Sequence, residues 1–396
     1  MIIRKIQPEE KVAASMIQAL SFLGKRDFTE DLADPAAHSK GYENYWGAFS
    51  DGGTMTACLI LFPYTVLYNG NTAGMGGIGG VASMPEHRMG GAVREMFKNS
   101  MASMRDEGQA FSYLYPFSFS FYRQFGYESC YLKKIITCKT QDFKHIKPSG
   151  SMSMLQKGDD MAPYMAIHTR FIGAFNMVVK RTQQQMADMM DRDPYATAQY
   201  TYLWRNENGD AKSYITFVTE NLKDKRHMVV KDFEWMDSEG MRGMLSMISK
   251  FSAQAPCFRW PNVPPNFDIA LLTHDYFDIE CETSMNGMNR VVDAAGAVRL
   301  MRVPEGCGGA AVKIVDDFLA WNNVTVKLEW ADGALCAERT NAAPDMTVPI
   351  TSLARLVTGY STPAALALAG MADIDSNHTA LEKLFPNKPV YMNDFF

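Results

Sequence analysis

Val81-Ala82-Ser83-Met84-Pro85-Glu86-His87-Arg88-Met89-Gly90-Gly91-Ala92-Val93-Arg94 joins the end of a strand to the start of a helix. A junction of this kind leaves successive backbone N–H groups unpaired at a helix N-terminus, where the helix dipole adds partial positive charge. A pyrophosphate can therefore bind there without specialised side chains. Gly90 and Gly91 let phosphates approach the backbone. Arg88 and Arg94 offer guanidinium forks for the same oxygens, although an ordinary solvated helix surface also carries arginines. The spacing by itself predicts an anion site and leaves open which nucleotide it takes.

Just upstream, Gly74-Met75-Gly76-Gly77-Ile78-Gly79 satisfies G-x-G-x-x-G. A dinucleotide fingerprint must follow a strand and open a helix. Here the run continues into strand-like Val81-Ala82 and then Pro85, so a nicotinamide site is excluded. A glycine-rich strand instead points to a bulge or to close approach by another backbone-like chain, such as the diamide arm of pantetheine.

Downstream lies Tyr113-Leu114-Tyr115-Pro116-Phe117-Ser118-Phe119-Ser120-Phe121-Tyr122-Arg123-Gln124-Phe125-Gly126-Tyr127. Read from the residues alone it is aromatic core, and a tyrosine in such a run usually packs with its hydroxyl tethered. With a thiolate leaving group nearby, the Tyr122 phenol would have a proton to give it.

Around these segments the chain reads as mixed α/β. Ile2 to Ile6 is a strand followed by an amphipathic helix, Asp51-Gly52-Gly53 turns a hairpin, and Gly76 to Ser83 is a glycine-rich strand. Arg88 to Arg105 is a predicted helix, Ala110 to Tyr115 a strand and Ser118 to Phe125 a short helix. The plan recurs at an offset of about 150 to 160 residues. Tyr202-Leu203-Trp204 precedes the turn Asn208-Gly209, His227 to Trp235 is a strand, and Gly240 to Leu245 opens a helix. This copy lacks the Pro-x-x-Arg element and reads as degenerate. From Met288 the texture changes to alternating strands, with Val324 to Trp330 turning at Asp332-Gly333. A helix capped by Thr351 and a second from Pro363 to Ala369 follow.

With 396 residues, 47% apolar and 21% charged, the chain has the composition of a globular protein of two or three domains. A formal net charge of -5 argues against nucleic-acid or anionic-membrane partners. The seven cysteines form no C-x-x-C pair and read as reduced, mostly buried thiols. No His/Cys/Asp cluster has metal-ligand spacing. The 28 methionines read as core filler. The first residues lack a secretory pattern and no apolar run is long enough to span a membrane, so a cytoplasmic protein is expected.

The loop and the aromatic run together resemble GNAT N-acetyltransferases and, more narrowly, the Eis (enhanced intracellular survival) family. The family loop Val-Ala then Pro-x-His-Arg-x-x-Gly-x-x-Arg is matched at Pro85, His87, Arg88, Gly91 and Arg94. Its Tyr-x-x-Phe-Gly-Tyr element is matched at Tyr122, Phe125, Gly126 and Tyr127. The resemblance implies an α+β fold of tandem GNAT domains followed by a sterol-carrier-protein-like domain. Residues 1–145 would be the catalytic, acetyl-CoA-binding domain, 146–285 the degenerate copy and 286–396 the last domain. It also implies a homo-oligomer, a hexamer.

For the site, the resemblance implies that Val81, Ala82 and Ser83 hold pantetheine by backbone bonds. Arg88 and the stretch Met89, Gly90, Gly91, Ala92, Val93 and Arg94 would cradle the pyrophosphate, with Phe117 and Ser118 bordering the cofactor. It further implies that Tyr122 is the general acid and that the terminal carboxylate of Phe396 is the base. The apolar, aromatic stretch Val390 to Phe396 would bury well and is odd as a loose tail. The expected activity is direct acetyl transfer, without metal, from acetyl-CoA to a primary amine: aminoglycoside-like, polyamine or lysine side chain. A lipid-binding protein with vestigial GNAT domains is the alternative. Gly80 stands where some relatives carry an aromatic acceptor-pocket residue, and Asp27, Glu30, Asp31 and Asp34 form an acidic patch suited to a cationic acceptor or to plain solvation.

Overall fold

The structure, a computed structural model, describes residues 1–273 and 276–396. The chain forms two compact units. One comprises Met1–Cys130, Gly287–Lys388 and Asp394–Phe396, the other Tyr131–Asn286 and Pro389–Asn393.

The first unit holds a seven-stranded sheet. Its order is β1 (Ile2–Lys5), β2 (Tyr45–Phe49), β3 (Met55–Tyr68), β4 (Asn71–Ser83), β5 (Gln109–Leu114), then the strands Met288–Val291 and Glu128–Ser129. β3 and β4 form an antiparallel pair, and β4 runs parallel to β5. The crossover between β4 and β5 is the helix Ala92–Asp106, which buries Met96, Phe97, Met101 and Met104 at helical spacing against Ala57, Leu59 and Ile78. Each methionine buried in this way contributes roughly 1.5–3 kcal/mol of hydrophobic stabilisation, which is the core-filling role expected of them.

Met288–Val291 departs from expectation. Its texture places it with the third segment, yet it pairs with β5, Met288 opposite Leu114 and Val291 opposite Phe111. All four of its residues are buried, as in a strand flanked on both sides and covered on both faces. Arg290 within it is ion-paired with buried Asp316.

The same unit carries a five-stranded sheet in the order Ala334–Arg339, Val324–Ala331, Gly308–Val315, Met346–Pro349, Asp373–Ile374. The helices Ile350–Thr358, Pro363–Leu368 and His378–Leu384 follow or interleave with its last strands. Thr351 lies inside the first of these helices rather than capping it. Pro349 is the N-cap, because its fixed φ suits a helix entry.

The second unit repeats the plan with a seven-stranded sheet. Lys225–Trp235 and Cys257–Val263 are its parallel pair, and Ser238–Ile248 is the crossover helix. Leu132–Lys139, inside the span assigned by sequence to the first domain, is a strand of this sheet.

The cysteines correct a second expectation. All seven are free, but Cys281, Cys307 and Cys336 are exposed and only Cys58, Cys130 and Cys138 are fully buried. Among the described residues no helix is long and apolar enough to cross a membrane.

Candidate active site

The site begins where two strands part. β4 pairs with β5 from Gly74 opposite Gln109 to Ile78 opposite Leu114. β5 ends there, while β4 continues to Ser83. Residues 79–83 therefore keep β3 on one side and present an edge to the gap left by β5. Opposite Leu59 two residues, Gly80 and Val81, stand in place of one, a β-bulge between the Cys58–Ala82 and Ile60–Gly79 pairs.

Gly80 adopts φ +56, and its carbonyl accepts a 3.0 Å hydrogen bond from Gln18 Nε2. A side chain at this position would meet that same nitrogen at 2.2 Å. A side chain here is strained by the left-handed backbone and would have to displace the Gln18 amide. Ser21 Oγ donates to the Ser83 carbonyl at 3.1 Å, so the helix Lys11–Ser21 holds the strand at both ends of this segment.

Past Ser83 the chain makes a single 3-10 turn, Pro85–His87. Met89 at φ +67 and Gly91 at φ +81 then interrupt it, so the helix starts at Ala92 and not at Arg88 as expected. Gly91 is the N-cap and has no side chain to occupy the first-turn amides. Those amides and the fully exposed loop fit an anion. Arg88 is exposed beside them, and the Arg94 guanidinium lies over the Phe318 ring at 5.0 Å, a cation–π contact.

The second unit shows what a closed version looks like. There Asp237 Oδ1 accepts from the Gly240 amide at 2.9 Å, so the crossover helix is capped by its own carboxylate. Its parallel strands pair only from His227–Val229 to Cys257–Arg259. Beyond that point Phe233, Trp235, Trp260 and Phe267 interlock with ring centroids 5.0–6.0 Å apart.

Tyr122 sits in the short helix Phe119–Arg123, capped by Ser118, whose Oγ accepts from the Phe121 amide at 3.3 Å. Its ring lies among Phe97 at 6.1 Å, Phe121 at 5.1 Å and the largely exposed Phe117 at 5.5 Å. Burial pushes the Tyr122 hydroxyl up to about 12, so it is protonated throughout the physiological range.

The rest of the Tyr-x-x-Phe-Gly-Tyr element is structural. Phe125 stacks on Phe97 at 4.6 Å, and Tyr127 shares a 2.7 Å hydrogen bond with Ser112, which donates onward to the Gly76 carbonyl at 2.8 Å. At Gly126 a Cβ would meet the Arg290 guanidinium at 2.6 Å.

The last residues of the chain, Asp394–Phe396, lie with the first unit. The Phe396 ring packs against Gly77, where a Cβ would come within 2.7 Å of it, and lies among Tyr64 at 5.1 Å, Tyr115 at 5.6 Å and Phe62 at 6.2 Å. The terminal carboxyl carbon is 3.4 Å from the place a Cβ would take on Gly79. Gly77 and Gly79 thus make room for the protein's own terminus, where sequence reasoning expected pantetheine.

The preceding residues, Pro389–Asn393, belong to the second unit. Asn393 forms a reciprocal pair with the Val179 backbone at 2.8 and 3.1 Å, and Asn262 Nδ2 donates to the Met392 carbonyl at 3.0 Å. A terminus so bonded is docked, not frayed.

Sequence reasoning missed Gln18, Phe62, Tyr64 and Tyr115. A signal was present for Phe62, which stands directly opposite Gly77 in the β3–β4 register and so faces a position that supplies no side chain. Within the acidic patch, Asp31 is buried and bonded to Arg26 at 2.9 Å and to His38 at 3.1 Å, which commits it to local structure.

Comparison with known proteins agrees with this geometry. Residues 2–130 and 177–300 each match an acetyltransferase (GNAT) domain, and residues 305–393 match a sterol carrier protein domain. The chain therefore joins two GNAT acetyltransferase domains to a sterol carrier protein domain.

Among solved structures it is similar to a conserved protein of Enterococcus faecalis described as a probable N-acyltransferase, with TM-score 0.88 and 19% identity over 100% of this chain and 99% of that one. A GCN5-related N-acetyltransferase from Anabaena variabilis superposes with TM-score 0.87 at 20% identity, covering both chains fully. Eis1 from Mycobacterium abscessus does so with TM-score 0.81 at 16% identity, again over 100% of each chain. No curated protein matches the sequence.

Proposed function

We propose that the first acetyltransferase domain transfers an acetyl group from acetyl-CoA directly to a primary amine, with Tyr122 as general acid and the Phe396 carboxylate as base. The observation that carries this reading is the terminal carboxyl group over Gly79, beside the point at which β4 and β5 part. A carboxylate there accepts the proton of an ammonium substrate and leaves a nucleophilic amine. The amine nitrogen bonds to the acyl carbon as the carbon–sulfur bond breaks, Tyr122 gives its proton to the departing thiolate, and the second proton shed by the nitrogen as the amide forms restores the phenol.

The backbone edge of Val81, Ala82 and Ser83 would hold the amides of the cofactor arm. Arg88 and the amides following Met89, Gly90 and Gly91, through Ala92 and Val93, would hold its phosphates. Phe117 would border the arm, while Ser118 supports it through the helix cap. Backbone N–H groups beside Val81 would stabilise charge on the acyl oxygen. Acceptors of the aminoglycoside, polyamine and lysine classes all present the required amine, and the Eis-like plan carries with it the expectation of a cytoplasmic hexamer.

Calorimetric titration with CoA tests the cradle. Gly91→Glu places a carboxylate at the helix N-terminus that the phosphates must occupy, and affinity should fall at least ~10-fold through lost dipole contact and like-charge repulsion. The Gly91 position has open space around it but a left-handed backbone, φ +81, that a side chain strains, so the thermal transition of the variant is measured alongside to show that it has folded. An unaltered dissociation constant would refute the loop assignment. A native protein that takes up apolar ligands but no CoA would establish the lipid-binding alternative instead.

A further inference from the structure

Tyr115 is the first residue beyond β5, whose last residue, Leu114, is held between Ile78 and Met288 in the sheet. Pro116 follows it, and a residue before proline is confined to extended backbone, so the Tyr115 side chain projects from a rigid mount. The tail is bonded as far as Asn393, and the three residues beyond it need a tie of their own, since a chain end frays unless something holds it. Tyr115 ties it twice. Its hydroxyl donates to the backbone carbonyl of Asp394, and its ring lies 4.5 Å from that of Phe395 and 5.6 Å from that of Phe396. Phe62 and Tyr64 pack on the Phe396 ring as well. A hydrogen bond to a carbonyl two residues from the terminus is directional, and so constrains how far along the tail the carboxylate falls.

We propose that Tyr115 is a positioning residue for the terminal carboxylate, setting where it rests above Gly79. The proposal depends on the reading of that carboxylate as the base. A base must lie within hydrogen-bond reach of the proton it takes, and a displacement of about 1 Å can cost on the order of a hundredfold in rate.

The test is a double-mutant cycle between Tyr115→Phe and a chain extended by one glycine beyond Phe396. Phenylalanine keeps the ring contacts and removes the hydroxyl that bonds to Asp394. In the native-length chain kcat should fall about tenfold, the rate equivalent of one hydrogen bond at the upper end of its usual net worth. The KM for acetyl-CoA should stay within about twofold, since the hydroxyl acts on the tail and not on the donor. In the extended chain, where the carboxylate is already displaced, the same substitution should change nothing further.

An unchanged kcat in the native-length Tyr115→Phe protein overturns the proposal, as does an equal loss in both backgrounds, which would show that the hydroxyl acts independently of the tail. Failure of the underlying reading looks different, because the extended chain with Tyr115 intact would then be fully active.

Discussion

Replacing Tyr122 by phenylalanine lowers turnover about a hundredfold while leaving the affinity for CoA within about twofold. The magnitude is that of losing one positioned general acid. Selectivity for turnover follows from the packing: the ring is held by Phe97, Phe117 and Phe121, and phenylalanine retains all of those contacts. Only the proton is lost, and it is needed only as sulfur departs. Because burial holds the hydroxyl up to about 12, the native enzyme should show no alkaline loss of rate traceable to Tyr122 below about pH 11. Steady-state turnover and CoA titration of the variant check both statements. Unchanged turnover would remove Tyr122 from the mechanism and leave it as one more aromatic of the core.

Converting the Phe396 carboxylate to an amide is expected to lower kcat by about a hundredfold or more at neutral pH. The amide is nearly isosteric, so the ring stays between Phe62, Tyr64 and Tyr115 and stability should not change measurably. What disappears is the proton acceptor. The substrate amine must then lose its proton to solvent, and the reactive fraction grows about tenfold per pH unit until the pH approaches the amine's own value, ~10.4 for a lysine-like amine. The amidated protein should therefore recover rate as pH rises, with the native enzyme much less dependent on pH over the same range. A pH profile parallel to that of the native enzyme, at equal rate, would show that the docked carboxylate is structural.

Much of this site could be read before any coordinates. Pro85, His87, Arg88 and Gly91 mark the loop, and Tyr122 stands at the expected distance along the chain, because both depend on local geometry that a short motif encodes. Contacts made at long range in sequence were less accessible. The glycines of β4 are legible as a close approach, but not what approaches, since the partner is Phe396, more than 300 positions away. Met288–Val291 has the composition of any buried strand, and its place beside β5 follows from an edge that only the folded sheet creates.

The second domain's lack of the Pro-x-x-Arg element is legible in the sequence. That Asp237 caps its crossover helix and that Trp235 and Trp260 pack together needed the fold. Arg94 matches the family pattern, and that its guanidinium lies over Phe318 needed the fold too. Gly80 ceases to be an oddity once its left-handed backbone and Gln18 are in view.

The most direct test of the central claim is CoA release from acetyl-CoA by the native protein, measured against a panel of aminoglycosides, polyamines and lysine peptides. The account predicts amine-dependent release of one CoA per acetylated amine for at least one class, with no release above background when the amine is omitted. Release independent of any amine, or none with any acceptor despite CoA binding, would contradict it.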